Sequence, residues 1–422
     1  MLTLYLCYYG LREPLTQTQV LPYLRELAGG GIGVHLLTFE PGGSRAWAVG
    51  EREEWREKLA SQGIQWRSLN YHKWPSLPAT LYDIAYGALT AVRLVRREEI
   101  DAMHARGHVP AAMGALAKWL AGGKLIFDIR GFMAEEYVDA GHWPEGGLLY
   151  RLTKTAEKRL LKTADGFVVL TEKARKILFP HDRGGRPVEV IPCCVDAERF
   201  RTADRESRDD IRRKLNLEGR RAIIYVGSLG GWYLTDETAE LMAAAHREDA
   251  STFSIVLTQS PPEMIVGRLN ALGVAGSDYL VKKVAPADAP RYLKAADFAV
   301  SLIKPCYSKM SSSPTKIAEY LASGLPVITN AGIGDLDDLI AEDKVGVILD
   351  AFDQESYGRA LEGMRALLLD RGTADRCRQS ARKRFDLTSV GGARYLRLYR
   401  RVFEGELTER TEIFKGHDGT IK

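Results

Sequence analysis

Short apolar runs, each the length of a buried strand, alternate with helical patterns along the whole chain, and the alternation occurs in two blocks. The first block reads LTLYLCYY, VHLLTFE, IQWRSLN, AMHARG, KLIFDIRG, GFVVL and VEVIP. The second restarts at RAIIYVGSLGG and continues through FSIVLTQS, DYLVKKV, AADFAVSLI, LPVITN and VGVILD. Strands separated by helices of ten or more residues pair as parallel neighbours, with the helices packed on the faces of the sheet. A length of 422 residues exceeds what one core usually supports, so two domains of roughly 150 to 220 residues are expected. The predicted fold is α/β: two doubly wound, Rossmann-like domains facing each other across a cleft. They divide as residues 1–192 and 196–385, with polar residues gathered at the join and a polar tail over 406–422.

Bulk composition excludes more than it selects. Hydrophobic content of 45% and charged content of 27% are ordinary for a globular enzyme. A net charge of +4 gives no concentrated basic stripe, so no nucleic-acid partner is expected. Five cysteines fit no disulfide or metal spacing, which points to a reducing, cytoplasmic setting. No apolar run reaches the roughly 18 residues of a membrane helix, and MLTLYLCYYG reads as a first buried strand rather than a signal peptide. There is no Walker-type phosphate loop, no dinucleotide fingerprint after the first strand and no nucleophile-elbow serine motif.

The most informative stretch is SSSPTKIAEYLASGLPVITN, Ser311 to Asn330. Ser313 suits an N-cap, with Pro314 at the first helical position and Gly324 at the stop. Ile317 and Leu321, spaced i, i+4, are expected to face the core, whereas Lys316 and Glu319 share another face. Free N–H groups and the positive dipole end at this helix start suit a phosphate. Lys316 adds a point charge there, and a carboxylate one turn on can accept hydrogen bonds from a vicinal diol such as a ribose. From spacing alone, an i, i+3 surface ion pair worth roughly a few tenths of a kcal/mol is the simpler account.

With the segments around it, this stretch resembles the nucleotide-sugar segment of glycosyltransferase family 4, the glycosyl transferases group 1, which have the GT-B fold. Glu319 matches the second glutamate of that family's paired-glutamate motif, and Ala322, Gly324, Pro326 and Val327 match the turn that follows. Ser311 stands where the first glutamate would be, a departure that removes the usual sugar contact. The variant S-P-T-K-x-x-E-Y fits better. YYGLREPLTQTQV resembles the family's first strand, loop and helix, with Gly10 near the donor and Thr16 and Gln19 also reading as a capping box. VEVIPCCVDAERF resembles the interdomain segment. IIYVGSLGGWY resembles the loop that opens the second domain, but carries neither the arginine nor the lysine usual there.

The resemblance implies a retaining, metal-independent transferase that moves a sugar from a nucleotide diphosphate to an acceptor hydroxyl in cell-surface glycan synthesis. The acceptor is a glycan, a lipid-linked species or a small molecule. Implied donor-binding residues are Gly10, Gly227, Ser228, Ser311, Ser312, Ser313, Thr315, Lys316 and Glu319. His104, Arg130 and Lys316 are the implied catalytic groups, with no metal ligands and no cofactor. A last helix over 386–405 crosses back onto the first domain in such folds. Two other readings stay open: a non-catalytic nucleotide-sugar-binding subunit, motivated by Ser311, and a nucleotide-sugar 2-epimerase.

Other residues admit two accounts each. His104 and His108 flank the end of a strand, where ligands of open α/β sheets sit, and each also reads as a loop histidine without a role. Arg130 suits a bidentate phosphate contact, or a structural pair with Asp128, and Glu135 and Glu136 suit an acceptor hydroxyl or an acidic helix start. Asp335 to Asp338 read as helix capping. The helix over LLYRLTKTAEKRLLKTAD carries an apolar stripe (Leu148, Leu149, Leu152, Ala156, Leu160) and a basic face. That pattern fits a core-facing helix, or peripheral contact with anionic lipid at the inner membrane face.

Overall fold

The computed structural model describes residues 1–42, 46–181, 185–202 and 207–415. The chain divides into two compact units. The first comprises Met1–Val138, Trp143–Ile191 and the segment from Thr388 onward; the second comprises Asp139–His142 and Pro192–Leu387.

The first unit is a seven-stranded parallel sheet of β1 (Leu2–Cys7), β2 (Gly33–Glu40), β3 (Ile64–Asn70), β4 (Ala102–Arg106), β5 (Lys124–Asp128), β6 (Gly166–Val169) and β7 (Val188–Val190), in the order β3-β2-β1-β4-β5-β6-β7. The second is a six-stranded parallel sheet of β8 (Arg221–Val226), β9 (Thr252–Leu257), β10 (Tyr279–Lys282), β11 (Phe298–Ser301), β12 (Val327–Asn330) and β13 (Gly346–Leu349), in the order β10-β9-β8-β11-β12-β13. Every strand is one that the apolar runs mark. The central strands are buried on both faces, β4, β6, β9, β11 and β12 from end to end, which is why they read as mostly apolar runs; β4 nonetheless buries His104 and Arg106.

In both sheets the order reverses beside the first strand of the unit. The chain leaves β1 toward β2 on one side, and β4 leads to β5 on the other; β8 and β11 repeat this arrangement. At such a switch point the connections after two neighbouring strands diverge and leave a crevice at their carboxyl ends.

Local chemistry corrects several expectations. The first helix, which the resemblance placed within YYGLREPLTQTQV, is Pro14–Gln19, and a second helix, Leu21–Gly29, follows after a break at Val20. Pro22 lacks an N–H and its ring clashes with the preceding turn. The first helix starts at Pro14 with Glu13 at its N-cap, so Thr16 lies inside it and forms no capping box. The basic helix Leu148–Thr163 buries Glu157, Leu160 and Leu161, while Leu148, Leu149 and Leu152 at its start are exposed. Asp337 accepts from the Gly332 N–H at 3.2 Å, so the acidic run fixes a turn. The last helix, Ala393–Lys415, runs past the expected stop at residue 405; residues 416–422 of the expected tail lie outside the described residues. Among the described residues no helix is long and apolar enough to cross a membrane.

One position tests the second sheet directly. Gly346 opens β13 opposite Val327, and a Cβ there would overlap the Val327 carbonyl oxygen and press on Ile340. Gly346→Ala is expected to cost about 1–3 kcal/mol, the usual range for overpacking, measured by urea unfolding. An unchanged midpoint would show that the β12–β13 pair yields without cost.

Candidate functional site

The switch point of the second unit is built from two segments. One is the loop 227–234 after β8. The other, 302–314, follows β11 and feeds the helix Thr315–Ala322. They are stitched together by the backbone: Tyr233 bridges to Ile303, Lys304 N–H donates to the Trp232 carbonyl at 2.8 Å and Leu234 N–H to that of Leu302 at 3.2 Å. Asn330 clamps the second segment, accepting from the Ile303 N–H at 2.8 Å and donating to its carbonyl at 2.9 Å. The loop's turn needs Gly230 and Gly231, at φ +74 and +62.

Lys316 points into this crevice. It is 7% exposed, and its Nζ has no hydrogen-bond partner. The amine lies 4.2 Å from the ring centroid of Tyr225 and 4.1 Å from that of Tyr233. Gly227 makes room for it: a Cβ there would stand 2.7 Å from Nζ. Burial brings the amine down from its ordinary 10.5 to about 7, with Glu319 opposing. Two aromatic faces attract a cation, but a buried ammonium without an acceptor is costly. The site therefore holds a donor group in want of an anion.

Glu319 lies one turn on and is half-buried. Burial pushes its carboxyl up to about 7, against the pull of Arg199 and Lys316. The helix that carries both groups is seated by Ile317, Ala318 and Leu321 in the core, and by Tyr320, whose hydroxyl accepts from the Val226 N–H at 2.8 Å. The helix begins at Thr315, one residue later than the N-cap reading requires, and no side chain caps it. Ser313 instead accepts from the Cys193 N–H at 3.1 Å, so its hydroxyl is committed to the 192–195 segment.

The remaining expected donor groups divide. Gly227 and Ser228 line the loop beside Lys316, and the Ser228 carbonyl accepts from the Tyr225 hydroxyl at 2.5 Å. Ser312 and Thr315 are half-buried at the helix start. Ser311 is 3% exposed and donates to the Ser308 carbonyl at 2.7 Å; its hydroxyl serves the short turn Tyr307–Ser311 and is not presented to a ligand. The Lys309 ammonium sits 3.9 Å from the Trp232 ring centroid.

Gly10, His104 and Arg130 belong to the first unit. Gly10 is buried, and a Cβ there would stand 2.9 Å from both Glu40 Oε2 and Pro41 Cδ. His104, expected as a catalytic group, lies inside the sheet's core. It is 0% exposed, packed against the rings of Tyr5, Tyr395 and Tyr399, with Nδ1 3.0 Å from the Tyr399 hydroxyl. β4 is covered on both faces, so this ring is a core group. His108 pairs with Glu157 at 3.2 Å. Arg130 lies 3.4 Å from Asp128 and is 15% exposed. Among the described residues no three His, Cys, Asp or Glu side chains gather at metal-binding distance.

Two family models account for most of the chain: a glycosyl transferase 4-like domain over residues 16–194 and glycosyl transferases group 1 over 207–384. The chain belongs to the group 1 glycosyltransferases. No curated protein matches this glycosyltransferase. Solved structures do match its fold. A glycosyltransferase from Rickettsia africae aligns at TM-score 0.71 and 13% identity, covering 95% of this chain and 98% of that one. Sucrose-phosphate synthase from Thermosynechococcus elongatus aligns at 0.72 and 15%, covering 96% and 100%. Anabaena HepE, solved in complex with UDP, aligns at 0.69 and 14%, covering 94% and 100%. The GT-B neighbours agree with the two doubly wound units found here.

Sequence reasoning passed over Tyr225 and Tyr233, whose rings face the Lys316 amine, and gave Arg106 no role. Arg106 stands at the end of β4 within the quoted AMHARG run, where a charged strand end is the signal.

Proposed function

We propose that this glycosyltransferase takes a nucleotide-diphosphate sugar as donor and transfers the sugar to an acceptor hydroxyl with retention of configuration, without a metal ion, in the making of a cell-surface glycan. The observation that carries the donor assignment is Lys316 Nζ, buried and without a partner at the β8–β11 switch point. A diphosphate supplies the missing acceptors. Glu319, one turn on, reaches a ribose attached to that diphosphate. The UDP complex of Anabaena HepE supports this ligand class.

In this reading the bond from the anomeric carbon to the diphosphate oxygen breaks as the acceptor oxygen bonds to the same face. The departing phosphate oxygen takes the acceptor's proton. Charge grows on the diphosphate as the bond breaks, and the Lys316 ammonium stabilises it in a water-poor pocket. Burial brings the amine of the empty site down to about 7, and a bound diphosphate draws it fully to the ammonium. Ser311, with its hydroxyl bound to Ser308, supplies no carboxylate to the sugar, which keeps a non-catalytic binding subunit as the second reading.

A thermal-shift panel of UDP, GDP, ADP, CDP and TDP, with and without magnesium, separates these. A ligand at 100 times its Kd adds about 2.7 kcal/mol, or about 5–10 °C for a unit of this size. One diphosphate is expected to give that shift whether or not magnesium is present. A shift that requires magnesium overturns metal independence, and no shift with any nucleotide overturns the donor site. Binding without turnover across an acceptor screen selects the non-catalytic reading.

A further inference from the structure

We infer that the first unit holds an anion-binding site built on Arg106, and that the acceptor of this transferase carries a phosphate or carboxylate there; the second part rests on the transferase reading above. Arg106 is the last residue of β4 and stands in register between Cys7 of β1 and Asp128 of β5. This is the switch point of the first sheet, where a doubly wound unit takes its ligand.

Arg106 is 3% exposed, and neither Nε nor Nη1 has a hydrogen-bond partner. The carboxylate at ion-pair distance is Asp128, 3.6 Å from Nη1, too far for a hydrogen bond. Asp128 is also committed elsewhere. It accepts from the Tyr395 hydroxyl at 2.9 Å, lies 3.4 Å from Arg130 and 3.7 Å from His104 Nε2. Two guanidiniums, both permanently charged, thus approach this carboxylate, and Arg106 makes no hydrogen bond to it through Nε or Nη1.

The other titratable groups facing Arg106 do not balance it. Burial raises the Tyr5 and Tyr395 phenols and the Cys7 thiol and lowers His104, so all four stay neutral near pH 7. A buried guanidinium with unmade hydrogen bonds is costly to keep. Its planar fork matches the paired oxygens of a phosphate or carboxylate. Arg130, 15% exposed, carries the cluster toward solvent and gives the same anion a second cation.

The anion has two candidate sources, an acceptor group or the donor diphosphate. The experiment is calorimetric titration of the full chain with glucose 6-phosphate, inorganic phosphate, glucose and UDP, using wild type, Arg106→Gln, Arg130→Gln and Lys316→Gln. Glucose 6-phosphate is expected to bind wild type and Lys316→Gln alike and Arg106→Gln at least tenfold more weakly, with glucose binding none of them. UDP is expected to lose affinity for Lys316→Gln and keep it for Arg106→Gln.

Equal glucose 6-phosphate binding by Arg106→Gln and wild type overturns the site, as does no binding by wild type. Loss in Lys316→Gln with retention in Arg106→Gln assigns the anion to the donor pocket and overturns it too. A purely structural Arg106 lowers the melting temperature of Arg106→Gln without changing anion affinity per folded molecule. Should Arg106→Gln not fold, Arg130→Gln carries the test, with the same tenfold loss expected. Failure of UDP to bind wild type removes the donor reading and leaves the glucose 6-phosphate result readable by itself.

Discussion

Lys316→Met is expected to melt higher than the wild type at neutral pH and to transfer almost no sugar. The two effects come from one cause. Burial holds the folded amine at about 7, against an ordinary 10.5. Between those values the unfolded chain carries a proton that the folded chain has shed. Stability therefore rises with pH across that window, and the whole penalty for burying the amine is felt below pH 7. At about 1.4 kcal/mol per pH unit, the window caps the penalty near 4–5 kcal/mol. Repacking and lost contact with the two tyrosine rings reduce the expected gain to about 1–3 kcal/mol at pH 7. Methionine keeps the length and apolar character of the stem. Urea unfolding at pH 6, 7.5 and 9.5 checks the sign: the gain should be largest at pH 6 and shrink toward pH 10. Turnover should fall about 100- to 1,000-fold, the usual loss when a preorganised charge on the leaving group is removed. A methionine variant that is less stable at every pH, or that keeps full turnover, would refute the role given to Lys316.

The parts of the structure that the sequence made legible are those decided by local pattern. Strands with at least one buried face carry apolar residues in short runs or at a period of two, so the thirteen segments stand out from the helices between them. Lys316 and Glu319 were visible because i, i+3 spacing on a short helix places two side chains together wherever the helix lies. The rest depended on contacts across long separations. Ser313 looks like a cap until the Cys193 N–H, 120 residues away in sequence, claims its hydroxyl. His104 reads as a site residue because it stands near a strand's carboxyl end, yet a strand covered on both faces turns even a polar ring inward, here among three tyrosines. Thr16 and Gln19 match a capping box in spacing, but Pro14 opens the helix two residues before Thr16 and puts both inside it. The lowered pKa of Lys316 follows from its burial in a pocket walled by Tyr225 and Tyr233 and left open by the absence of a Cβ at Gly227, three features that no single window of sequence contains.

Donor affinity in the wild type is expected to be greatest near pH 7 and to fall on both sides. The Glu319 carboxyl is pushed up to about 7 and the Lys316 amine brought down to about 7. Below that pH, Glu319 is protonated and loses acceptor capacity toward a ribose diol; above it, Lys316 is neutral and loses its attraction for the diphosphate. Each substitution should remove one limb. Glu319→Gln leaves affinity level in acid and falling above pH 7, with a loss of about 1–3 kcal/mol at the optimum for a hydrogen bond to a charged group. Lys316→Gln leaves only the rise from acid to neutral. The nucleotide sugar is the ligand to titrate, because a free terminal phosphate has its own proton near pH 6 and would overlay the acid limb. The diol supplies an independent check, since a 2′-deoxyribose offers Glu319 one hydroxyl fewer. Wild type should prefer the ribonucleotide over its 2′-deoxy form, and Glu319→Gln should lose most of that preference. A Glu319→Gln profile that keeps its acid limb and its ribose preference would place the diol elsewhere and leave Glu319 as the partner that tunes Lys316.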